Sequence, residues 1–100
     1  MEPLDAYRVS RLALADIEGI YDYTVKNWSI SQADAYYAEI IAAFDGLVSG
    51  TKIGHSSAIE GYQAVSIGTH SIFYRIDNHT LLIVRVLHQA MDVARHLESG

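Results

Sequence analysis

Apolar positions follow two rhythms along this chain, a helical one in the first half and a strand-like one in the second. At residues 6–10, Tyr7 and Val9 flank Arg8, and this period of two predicts a short first strand ending at Ser10. Ser10 is a residue type suited to capping a helix N-terminus. Beyond it Ala13, Ile17, Ile20, Thr24 and Trp28 recur at spacings of three and four, with Asp16, Glu18 and Asp22 on other faces, which predicts an amphipathic helix over residues 11–26. Trp28 ends that stripe and is expected to be buried as the anchor of the following turn. Ser29 with Gln32 three places later forms a capping box, so a second helix begins there. Its stripe is Ala33, Tyr36 or Tyr37, Ile40, Phe44 and Leu47, and Gly50 supplies the left-handed stop. So short a link makes the two helices an antiparallel hairpin.

Residues 51–61 carry neither rhythm and read as an ordered loop. Residues 62–67, 70–76 and 81–88 are rich in β-branched and aromatic types and are separated by turn formers, which predicts a three-stranded meander. The order strand, helix, helix, three strands gives an α+β fold of two layers, an antiparallel-rich sheet with the helical hairpin on one face. Strict alternation places Ile72, Tyr74 and Ile76 toward the helices together with Leu82, Val84 and Val86. Ser71, Phe73, Arg75, Leu81, Ile83, Arg85 and Leu87 then share the other, open face. A large apolar patch seeks cover. That cover is expected from another chain or from the tail at residues 93–97, and without it the chain is expected to be poorly soluble.

The chain has 100 residues, half of them apolar, one proline and no low-complexity segment, so one domain is expected over residues 6–97, with frayed ends at 1–5 and 98–100. Residues 81–87 form an apolar run interrupted by Arg85, far short of the roughly 20 residues that span a bilayer. The start, Met1-Glu2-Pro3-Leu4-Asp5, lacks the pattern of a secretory signal, and there is no cysteine. A cytoplasmic protein with no membrane partner, without disulfides or thiol chemistry, is the expectation. The net charge of −5 lies in residues 1–50, where Arg8, Arg11 and Lys26 face eight carboxylates, and this acidity argues against direct nucleic-acid binding. No nucleotide-binding loop is present, and the five histidines, at 55, 70, 79, 88 and 96, are spaced too widely for a standard zinc motif. No cofactor and no metal are expected. Asp16 and Asp22 read as solvating charges.

Several strings resemble the ParE branch of the RelE/ParE toxin superfamily. They are Tyr7-Arg8-Val9-Ser10, the stretch from Ala15-Asp16-Ile17 to Tyr23-Thr24, Trp28, Gln32-Ala33 with Tyr37, His70-Ser71-Ile72-Phe73-Tyr74-Arg75 after Gly68-Thr69, and Val84-Arg85-Val86-Leu87-His88-Gln89 with Met91-Asp92. The resemblance implies a RelE-like β-α-α-β-β-β fold with the first strand beside the last. It also implies a type II toxin that binds and inhibits DNA gyrase and is silenced by a ParD-like antitoxin in a hetero-oligomer. On the open face, Phe73, Arg75, Leu81, Ile83, Arg85 and Leu87 are then the expected antitoxin-binding residues, the two arginines pairing with antitoxin carboxylates.

The RelE branch instead cleaves messenger RNA on the ribosome, and a shared fold does not choose between the branches. Metal-free RNA cleavage needs an acid, a base and clustered cations. Here Arg75, Arg85, His70 and His88 are the candidates, with Lys52 in the preceding loop and Tyr74 nearby, and Arg75, Arg85 and His88 are the set expected to act. The middle strand, Tyr62-Gln63-Ala64-Val65-Ser66-Ile67, lacks the dense run of cations that such ribonucleases carry there. ParE chains also commonly carry basic residues where this one has Gln63, Ala64 and Ala90. A non-toxic remnant that retains only antitoxin binding is therefore a third reading.

Overall fold

Ser10 connects the first strand to the first helix with one hydroxyl. Its Oγ accepts from the Ala13 amide at 3.0 Å and donates to the Val84 carbonyl at 2.8 Å, so it caps the helix and fixes the helix start to the sheet. The computed structural model describes residues 6–57 and 59–89. The expected frayed ends, the tail at 93–97, and Ala90, Met91 and Asp92 lie outside the described residues. In chain order the elements are β1 (Ala6–Val9), α1 (Arg11–Asn27), α2 (Ile30–Ser49), β2 (His55–Ser56), β3 (Gln63–Ile67), β4 (His70–Asp77) and β5 (Thr80–His88).

Ser29 caps α2 as expected, its Oγ accepting from the Gln32 amide at 3.0 Å. The Ser29 amide itself donates to the Thr24 carbonyl at 3.2 Å. Gly50 ends the helix at φ 84°, where a side chain would be strained. Five strands form one sheet in the order β1-β5-β4-β3-β2, with β1 parallel to β5 and the other pairs antiparallel. The expected loop thus contributes a two-residue edge strand, β2, that the aperiodic sequence did not announce.

One face of the sheet packs on the hairpin. Ala13 and Ile17 of α1 and Ile40, Ala43, Phe44 and Leu47 of α2 meet Val65, Ile67, Ile72, Tyr74, Leu81, Ile83 and Val86. This arrangement corrects the strict alternation predicted for β5. Phe73 pairs with Arg85, but Tyr74 pairs with Ile83, leaving Val84 as an extra residue in the ladder. One inserted residue reverses the side-chain alternation beyond it. Leu81 and Ile83 therefore enter the main core, at 0% and 1% exposure, and Val84 moves to the other face.

That other face is not an open apolar stripe either. Ala64, Phe73 and Leu87 form a second buried cluster, with Ile59, Tyr62 and Val84 packed against it. With Phe73, Leu81, Ile83 and Leu87 all inside, the reason given for poor solubility falls away. Trp28 is likewise corrected. It is 74% exposed and anchors nothing, because the helix ends at Asn27 and the turn carries the ring outward.

Candidate functional site

β1 is short, and its shortness leaves a concavity beside β5. It pairs with β5 only over Thr80 to Ile83, after which Ser10 turns the chain into α1. Beyond that point, among the described residues, β5 has no strand neighbour on this side, and its polar backbone groups need other partners. Ser10 Oγ serves the Val84 carbonyl, and Asp16 Oδ2 accepts from the Val86 amide at 3.0 Å. Asp16 also binds Arg85 through both oxygens, at 2.8 Å from Nε and 2.9 Å from the terminal nitrogen. The two-pronged geometry raises the Arg85 pKa, chiefly through the bond to Asp16. Asp16 is therefore not a solvating charge but a clamp between α1 and the sheet edge.

Between α1 and this uncovered stretch of β5 runs a groove of about 830 Å³. Gly19, Ile20, Tyr23 and Thr24 form its helical wall, and Trp28, Gln32 and Tyr36 close the end at the hairpin turn. Thr69, His70, Val86 and His88 contribute from the sheet. Tyr23 and Trp28 are 64% and 74% exposed, so the wall offers aromatic surface to anything that enters. Burial, followed by the neighbouring His88, lowers the pKa of His70, and Asp16 opposes that shift. Burial raises that of Tyr36.

The residues proposed from sequence for antitoxin binding are not assembled into one exposed surface. Phe73 and Leu87 lie in the rear cluster, Leu81 and Ile83 in the main core, Arg85 on Asp16, and Arg75 alone among them is exposed, near the far end of β4. Nor do Arg75, Arg85 and His88 converge as an RNA-cleaving set. His88 pairs with His70, five residues from Arg75 along β4, which is roughly 17 Å of strand. Sequence reasoning passed over Asp16 and Tyr36 as parts of a site, and considered His70 only as a candidate for RNA cleavage. The usable signal was a serine cap followed by an aspartate on the inner half of α1, where a strand must end.

The family model for the ParE toxin of type II toxin–antitoxin systems, parDE, matches residues 7–93. The chain belongs to the ParE toxin family. Toxin ParE1 of Mycobacterium tuberculosis is 39% identical over 94 residues, covering 91% of this chain and 96% of the relative. Toxin ParE1 of Caulobacter vibrioides is 34% identical over 93 residues with the same coverage. Among solved structures, the chromosomal ParDE toxin–antitoxin system of P. aeruginosa superimposes with TM-score 0.74 at 21% identity, over 85% of this chain and 95% of that one. The RelBE2 toxin–antitoxin complex of M. tuberculosis gives 0.60 at 22% identity, over 91% and 97%. These two likenesses show the RelE-like fold shared by ParE and RelE toxins. Among the described residues no helix is long and apolar enough to cross a membrane.

Proposed function

We propose that this ParE-family chain acts by binding proteins and carries out no turnover chemistry of its own: DNA gyrase is its target, and a ParD-like antitoxin neutralises it in a hetero-oligomer. The observation that carries the reading is the groove beside α1, an aromatic-walled concavity of about 830 Å³ with Trp28 and Tyr23 exposed on it. Exposed aromatic side chains lining a cleft are the usual anchors of a protein interface. We assign the antitoxin segment to this groove rather than to the sheet face, whose apolar residues the chain buries itself. The two solved relatives come from toxin–antitoxin systems, which supports a partner of this kind. Against RNA cleavage stand the separation of Arg75 from His88 and the neutralisation of Arg85 by Asp16.

Expression of the chain without its antitoxin tests the reading. DNA damage and filamentous cells, together with loss of supercoiling by purified gyrase, are the expected result. Immediate arrest of protein synthesis with gyrase unaffected would assign the chain to the ribosome-dependent ribonucleases instead. Unimpaired growth with antitoxin binding intact would make it a non-toxic remnant.

A further inference from the structure

β1 leaves one side of the sheet open. It is the first strand in the order β1-β5-β4-β3-β2, so its inner side meets β5 and, among the described residues, its outer side meets no strand. The Ser10 amide donates to the Ile83 carbonyl, which places the backbone groups of Ser10 on the β5 side. Backbone groups alternate sides along a strand, so those of Ala6 and Arg8 also face β5 and those of Tyr7 and Val9 face outward. The N–H and C=O of both residues thus line an edge, and among the described residues no hydrogen bond reaches them there.

The side chains of this strand face two different surroundings. Tyr7 packs on Phe44 of α2, ring centroids 5.3 Å apart, and Val9 packs on the same core, so both turn toward the helices and both are half-buried. Ala6 and Arg8 turn to the opposite face of the sheet and are exposed. Arg8 stands beside Leu82 in the ladder and forms no ion pair among the described residues. Its guanidinium keeps its charge at every pH near neutrality. A strand added to this edge would lie about 4.8 Å from β1 and set one of its own side chains directly opposite Arg8. Opposite charges in that position attract and like charges repel. The complementary residue there is an aspartate or glutamate. Its two neighbours turn toward the helices beside Tyr7 and Val9, where apolar side chains fit.

We propose that the outer edge of β1 is a second antitoxin contact: an extended antitoxin segment of the pattern apolar–acidic–apolar adds to the sheet as a further strand, with its carboxylate on Arg8. This rests on the antitoxin-binding reading above. Main-chain hydrogen bonds supply affinity for any extended segment, and Arg8 supplies the selection. Two other occupants fit less well. A second copy of this chain, paired antiparallel so that Tyr7 and Val9 of each copy exchange hydrogen bonds, would bring the two Arg8 side chains opposite each other. A folded enzyme such as gyrase presents strands that its own sheets already pair, whereas a partner that enters the groove as a segment has further chain to place on an edge.

The test uses the full chain and the full-length ParD-like antitoxin expressed from the neighbouring reading frame. Amide hydrogen exchange followed by NMR compares Tyr7 and Val9 in the free chain and in the complex, and both amides are expected to exchange at least about tenfold more slowly in the complex. This measurement needs no variant to fold. Arg8→Glu is expected to weaken antitoxin binding about fivefold, while Arg75→Glu, exposed on the same sheet face two strands away, is expected to bind as the parent does. Val9→Pro removes an outward N–H and leaves the ladder to β5 intact, so it should weaken binding as well. If the antitoxin binds the parent while both amides exchange as fast as in the free chain, the strand contact is wrong and the groove reading stands. Equal losses in Arg8→Glu and Arg75→Glu would move the contact to the sheet face and overturn it. Protection in the free chain that grows with its concentration would give the edge to a second copy. Arg8→Glu binding as the parent does would overturn the carboxylate contact, and if that variant also fails to inhibit gyrase the edge belongs to the target. A parent that does not bind the antitoxin at all would remove the antitoxin-binding reading and the strand contact with it.

Discussion

Trp28 shows how periodicity misleads at the end of a helix. The stripe Ala13, Ile17, Ile20 and Thr24 is buried or half-buried, but the next position in register falls on the C-cap, where the chain turns and the side chain leaves the core. Trp28→Ala should therefore cost less than about 1 kcal/mol of stability, far below the 3–5 kcal/mol of a buried tryptophan, while weakening antitoxin binding. Denaturant unfolding beside a binding measurement checks both. Gly54 is the opposite case, an ordinary-looking loop glycine that tertiary contact makes irreplaceable. A Cβ there would clash with Tyr74 Oη and lie 2.9 Å from the Ala64 carbonyl oxygen. Gly54→Ala is expected to destabilise the chain by about 2–3 kcal/mol, as overpacking does. In the β4–β5 turn, Asn78 and His79 hold φ 51° and 64°. Asparagine tolerates that region and histidine does so less well, so His79→Gly should raise the unfolding midpoint by an amount equivalent to about 0.5 kcal/mol.

At the scale of elements, the helices were legible because a helix shows its start, its stripe and its stop locally. Ser10, Ser29 and Gly50 do in the structure what their residue types suggest. The strands were legible in number and approximate extent but not in facing, since the extra residue at Val84 exists only relative to β4. The clamp of Asp16 on Arg85 was invisible for the same reason: the partners are 69 positions apart. With side-chain exposures of 14% and 11%, the pair is mostly desolvated, and removing Asp16 takes the two-pronged carboxylate from Arg85 and the acceptor from the Val86 amide. Asp16→Ala should cost about 2–4 kcal/mol, measured by denaturant unfolding. A double-mutant cycle with Arg85→Ala should recover a large part of that as coupling. A loss below about 0.5 kcal/mol would mean that solvent replaces the clamp.

For the molecule as a whole, burial of His70 links stability to pH. Its folded pKa is lowered from 6.5, mainly by burial and then by His88. Between the folded and unfolded values the unfolded chain binds more protons, so the stability seen above about pH 6.5 declines as the pH falls toward the folded value. Unfolding curves at pH values from about 7.5 down to 5.5 should show a decreasing midpoint for the free chain, and His70→Gln should reduce that decrease. A parent whose midpoint holds constant over this range would place His70 in water rather than under the groove.

The amino-acid sequence by itself determined the two layers, the order of helices and strands, both helix starts and the stop of α2, because these depend on contacts within a turn or two of chain. It also carried the strings by which the chain resembles ParE toxins, and the match over residues 7–93 confirms that membership. Tertiary structure alone decided which face each β5 residue takes, since alternation there is broken by one inserted residue. It alone showed that the apolar sheet face is covered and that the groove lies between α1 and the end of β5. The groove exists because β1 stops after four residues and a helix, wider than a strand and tied to β5 at the Asp16–Arg85 clamp, takes its place beside β5. A gap between two elements is a property of their spacing in three dimensions, and no residue along the chain encodes it alone.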